Sequence, residues 1–189
     1  MLPLPQIEAI QAPFLELPAI FRAYEERESN FAEQARAWLC RIEAVMEAAR
    51  LPAAGAVAAL RGVVISAERG VLPPGLSFVN PPSPRRLRDA AAAEALRRAE
   101  ETVNGVIRGD VGQLEEAARL LRQMMAIAQR KGVLSAAVGA TTHSEVVNAI
   151  WAAFLRDAEL APGATRVTGL AGPLNALFLV SRELPHDMG

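Results

Sequence analysis

The chain has 189 residues, 51% of them apolar and 22% charged, with a net charge of −1. That length and composition fit one folded domain, with an appendage at most, and exclude disorder throughout. A single cysteine excludes a disulfide framework within the chain, the near-zero charge gives no global pull toward nucleic acid or anionic membrane, and no apolar run reaches the roughly 18 residues of a membrane span.

Residues 1–17 read as an N-terminal extended arm. Pro3, Pro5 and Pro13 punctuate it, and each disfavours helix at the residue before it. One or two helical turns fit only near residues 6–12. Leu2, Leu4, Phe14, Leu15 and Leu17 require cover, which the rest of the chain is expected to provide. The arm has neither a basic leader nor an uninterrupted apolar stretch, so no secretory signal is read and a cytoplasmic location is expected.

Residues 18–184 read as a single all-α domain, a bundle of five to seven helices with one long N-terminal helix. Pro18 suits a first helical turn. From there to Leu51, positions 21, 24, 28, 31, 35, 38, 42, 45 and 49 step by three and four, a seam of about four heptads. Phe21, Tyr24, Phe31 and Trp38 lie on it. Glu28 is the one charged member, and its plain reading is a solvent-facing position. Cys40 reads as a small, partly buried helix residue.

Pro52 stops this helix. A second spans about 53–69 with Val57, Leu60, Val64 and Ala67 on one face, and Gly70 is placed to end it. Residues 71–84 carry five prolines and read as a proline-rich linker. Two further helices are expected over about 85–107 and 111–130, turned at Gly109-Asp110 into an antiparallel hairpin. Thr142-His143-Ser144-Glu145 matches a capping box. The helix after it should bury Val146, Val147, Ile150, Trp151, Phe154 and Leu155. A last helix is expected from Pro173 to Leu184.

The chemistry is sparse. The two histidines, His143 and His186, form no metal-ligand spacing with each other or with Cys40. His143 falls inside the capping box and reads as a surface residue; His186 reads as part of a loose tail. No catalytic, cofactor-binding or metal-ligating residue is assigned. Gly169-Leu170-Ala171-Gly172-Pro173 lacks the lysine and the preceding strand of a phosphate loop and reads as a turn. Neighbouring Glu25 and Glu26 point about 100° apart on a helix and read as a solvated face.

Nineteen of the twenty basic residues are arginine. Arg85, Arg86, Arg88, Arg97 and Arg98 cluster at the start of the third helix. Cations there oppose the helix dipole, a local conflict that invites an acidic or phosphate partner. Two functional expectations follow. The first is a non-enzymatic protein–protein interaction or assembly module, self-associating as a homo-oligomer through Phe21, Tyr24, Phe31 and Trp38. The alternative is a nucleic-acid-binding accessory protein that uses the five arginines.

Overall fold

A computed structural model describes residues 1–137 and 141–184. Seven α-helices and two 3-10 segments make up these residues, with no strand among them. The helices are α1 (Leu4–Gln11), α2 (Leu17–Glu25), α3 (Phe31–Ala48), α4 (Ala54–Glu68), α5 (Pro84–Lys131), α6 (His143–Arg156) and α7 (Ala161–Glu183). The 3-10 segments are Ala12–Glu16 and Val133–Ala137. The all-α bundle is present, but its long helix is central and not N-terminal. His186 lies outside the described residues.

The expected long N-terminal helix is two helices, because the chain turns at residues 26–30. Arg27 adopts φ 57°. The Glu28 N–H reaches the Ala23 carbonyl at 2.9 Å and the Arg27 N–H reaches Tyr24 at 3.1 Å. This paired pattern is the Schellman motif, which closes a helix with a left-handed residue. Glu28, the charged residue in the seam, sits at the break and is exposed.

The opposite correction applies to α5. The expected hairpin at Gly109-Asp110 is continuous helix of 48 residues. A glycine inside a helix costs about 1 kcal/mol relative to alanine, which three-four spacing of buried Leu96, Ala99, Val103, Ile107, Leu114, Ala117 and Leu121 outweighs.

Residues 1–17 are also more helical than the prolines suggest, being helix or 3-10 from Leu4 to Glu16. Ile7 and Ile10, one helical turn apart, are both buried. Pro13 falls in the first turn of the 3-10 segment, where a missing N–H removes no bond.

The chain divides into two compact units, Pro5–Ile107 and Met1–Leu4 together with Arg108–Gly189. The division falls within α5, and the proline-rich 71–84 stretch lies inside the first unit. In that unit α3 packs against α4 and α2. Its buried face is Phe31, Ala32, Ala35, Trp38, Leu39, Ile42 and Met46. Leu87 and Ala91 of α5 join Ala67 of α4 in a small cluster, over which Leu76 and Phe78 close.

In the second unit α6 packs against α7 and the 3-10 segment before it. The capping box forms as expected: Glu145 N–H donates to Thr142 Oγ1 at 3.2 Å, and Thr142 N–H donates to the Glu145 carboxylate at 3.1 Å. Val146, Val147, Ile150 and Phe154 are buried, but Leu155 is half exposed and outside the apolar face expected to hide it. The last helix starts earlier than expected, at Ala161. It bends at Gly172, whose φ 78° and ψ 161° only glycine adopts readily, and restarts at Pro173. Gly163 lets α7 approach α5, since a Cβ there would lie 2.9 Å from Met124 Sδ.

Candidate functional site: a cleft lined by aromatic rings and arginines

Tyr24 stands in the last turn of α2 and Phe31 opens α3, so the break between these helices brings the two rings together. Their centroids are 4.9 Å apart. Phe31 is buried at 1% exposure, whereas Tyr24 is 42% exposed. Phe78, from the proline-rich stretch, adds a third ring. The Arg86 guanidinium lies over it, 5.7 Å from the ring centroid, a cation–π contact.

The start of α5 completes the wall. Ser83 caps the helix by accepting the Arg86 N–H at 3.2 Å. Arg85 donates to the Arg27 carbonyl, and Arg88 to that of Ser29 at 3.5 Å. Asp89 lies between these two guanidinium groups, 3.4 Å from Arg85 and 3.5 Å from Arg88. The arginines that oppose the α5 dipole therefore have local work: they hold the carbonyls of the 26–30 connection. The result is a cleft of about 830 Å³ that Tyr24, Phe31, Phe78, Arg85 and Arg86 help to line.

Two groups singled out separately in the sequence thus meet here, but not as whole sets. From the aromatic set, Tyr24 and Phe31 line the cleft. Phe21 is half-buried on α2. Trp38 is fully buried and donates its indole N–H to the Pro13 carbonyl at 2.7 Å, so it is a core residue. From the arginine set, Arg85 and Arg86 line the cleft and Arg88 lies beside it. Arg97 and Arg98 instead share Glu94 at 2.8 and 2.6 Å, and Arg97 also reaches Glu101 at 2.5 Å. The bond from Arg97, followed by that from Arg98, holds the Glu94 carboxyl down at about 2. Phe78 had no periodic pattern to mark it; a lone ring among prolines was its only signal.

The charges of the cleft wall are mixed. Glu25, Glu28, Arg27 and Arg86 all line it. None of the four carries a side-chain ion pair among the described residues. Both signs are thus available beside an exposed tyrosine.

A second concavity, of about 190 Å³, lies between α6 and α7. His143 Nε2 and Ser181 Oγ are 2.7 Å apart at its polar end, while Val147, Leu174, Leu177 and Phe178 form its apolar lining. A serine nucleophile needs a base that is itself oriented by a third group. Among the described residues no carboxylate bonds to the imidazole. No cluster of three potential metal ligands occurs among the described residues either, and no helix there is long and apolar enough to cross a membrane. Cys40 is exposed on α3, not partly buried as its neighbours suggested.

No protein-family model, curated protein or solved structure matches the chain.

Proposed function

We propose that this protein is a non-enzymatic assembly module that pairs with a second copy of itself through the cleft at Tyr24 and Arg86. The observation that carries the reading is the composition of that wall: a half-exposed aromatic ring flanked by carboxylates and guanidinium groups without ion-pair partners. A two-fold interface presents the same patch from both sides, so a patch with both signs of charge complements itself. Glu28 of one copy then faces Arg86 of the other, and the two Tyr24 rings supply the apolar centre. Trp38 and Phe31 support the patch from the core and are not contact anchors.

Light scattering over a concentration series tests this. The wild-type chain should show dimer mass that falls on dilution. Glu28→Arg and Arg86→Glu should each weaken pairing about tenfold or more. An equimolar mixture of the two variants should restore it, because the mixed dimer re-forms both charge pairs, one in its native sense and one with its signs swapped. A wild-type chain that stays monomeric at every concentration, or a mixture no better than either variant alone, overturns the reading.

A further inference from the structure

Asn175 is the one buried polar side chain among the described residues, at 4% exposure. It stands in the first turn of α7 after the Gly172 kink. Its Oδ1 accepts the Leu4 N–H at 2.7 Å, and its Nδ2 donates to the Leu2 carbonyl at 3.0 Å. Asp110, on α5, accepts the Leu2 N–H at 2.7 Å. Three backbone groups of Leu2-Pro3-Leu4 are therefore held by two side chains of the same compact unit.

The pattern is selective. Leu4 opens α1, so Asn175 Oδ1 caps one of the free N–H groups at that helix start while its Nδ2 holds the carbonyl two residues earlier. The middle residue contributes no N–H, so proline is accepted there. Pro3 also keeps Leu2 out of the helical region, which lowers the entropy lost on docking. Leu4 is buried, adding an apolar anchor. Residues 1–4 belong to the same compact unit as the clamp, and Pro5–Ile107 form the other. Exchange of such an element between identical chains keeps every contact.

We propose that the Asn175–Asp110 clamp is a peptide-docking slot for a Leu-Pro-Leu segment that leads into a helix. It is filled within the chain by residues 2–4 and takes the same segment of a second copy when that strap is released. This slot is independent of the Tyr24 cleft.

The test uses the full chain with Leu2, Pro3 and Leu4 all replaced by glycine, and as probe a fluorescent synthetic peptide of residues 1–11. Anisotropy should show the triple-glycine chain binding the peptide about tenfold or more tighter than the intact chain, whose slot is occupied. Adding Asn175→Ala should weaken binding about tenfold, the loss expected of two hydrogen bonds. Asp110→Ala, at a less buried position, should weaken it less and provides the readout if the Asn175 variant does not fold. Tyr24→Ala should leave peptide binding unchanged. Equal binding by the intact and triple-glycine chains, or binding indifferent to Asp110→Ala and Asn175→Ala, overturns the proposal.

Discussion

Trp38 on α3 donates its indole N–H to the carbonyl of Pro13 at 2.7 Å, and the ring of Phe14 meets the indole edge-on at 5.6 Å. One side chain therefore fixes the 3-10 segment Ala12–Glu16 onto α3 by both polar and apolar contact. Trp38→Phe keeps most of the apolar contact but leaves the Pro13 carbonyl without this donor in a dry site. It should cost about 1–3 kcal/mol in urea unfolding. Trp38→Ala should cost about 3–5 kcal/mol. Both losses should be independent of protein concentration, since the residue is internal.

Arg27 and Arg50 close α2 and α3 with φ 57° and 55°, in the hydrogen-bond pattern that Gly70 uses to close α4. A side chain in the left-handed region costs about 1–2 kcal/mol that glycine avoids, while glycine adds entropy to the unfolded chain. Arg50→Gly should therefore stabilise the protein by about 0.5–1 kcal/mol. Arg50→Ala should change little, because alanine meets the same steric penalty. A thermal melt of the three proteins separates the outcomes.

These closures also explain what was legible in the sequence. Gly70 reads as a helix end because glycine advertises the left-handed region, and the structure uses it so. Arg27 and Arg50 carry no such mark, and the three-four spacing runs across residues 26–30 without interruption. Glu28 alone hinted at the break. Conversely, Gly109-Asp110 looked like a turn, yet buried residues on both sides keep α5 whole. Local glycine chemistry was overruled there by packing. Of the candidate cleft, Tyr24, Arg85 and Arg86 were visible as residue types. Their convergence was not, because it depends on where the non-periodic 71–84 stretch lays Phe78. The Asn175 clamp was equally hidden: it joins positions 171 residues apart in the chain.

The capping box at α6 gives a sharper local test. Thr142 accepts the Glu145 N–H, and Glu145 returns the bond to the backbone of Thr141 and Thr142, which lowers its pKa. Thr142→Ala should destabilise by about 1 kcal/mol, and Thr142→Ser should retain most of the stability. Amide exchange in the first turn of α6 should accelerate in the alanine variant more than exchange in α3, which lies in the other unit.

Glu94 supplies the pH prediction. Its carboxyl is held at about 2 in the folded chain against an ordinary 4.5, chiefly by the bond from Arg97. A depressed carboxylate contributes stability that is fully present above its unfolded pKa and lost as pH falls through the folded one. The contribution should therefore fade between about pH 4.5 and pH 2. Carbon-detected titration should place the Glu94 midpoint well below that of an ordinary glutamate. Glu94→Gln should flatten the acid limb of the stability curve in this window. Because the group is partly exposed, 0.5 M salt should shrink the effect.

The same pairing bears on the nucleic-acid expectation. Phosphate binding by an arginine cluster draws its energy from released counterions and scales with the number of free cations. Arg97 and Arg98 already share Glu94, Arg85 and Arg88 are bound to carbonyls and to Asp89, and Arg86 alone of the five has no carboxylate within ion-pair distance among the described residues. One unpaired cation in this cluster, on a chain of net charge −1, contributes a slope of at most about 1 in log affinity against log salt. Short duplex and single-stranded DNA should show no retardation at micromolar protein in 50 mM salt. Glu94→Gln releases Arg98 but leaves Arg97 on Glu101, so it should steepen the salt dependence by about one further unit at most. A steep salt-dependent shift that Arg97→Ala and Arg98→Ala remove would reverse the ranking and make the start of α5 a nucleic-acid interface.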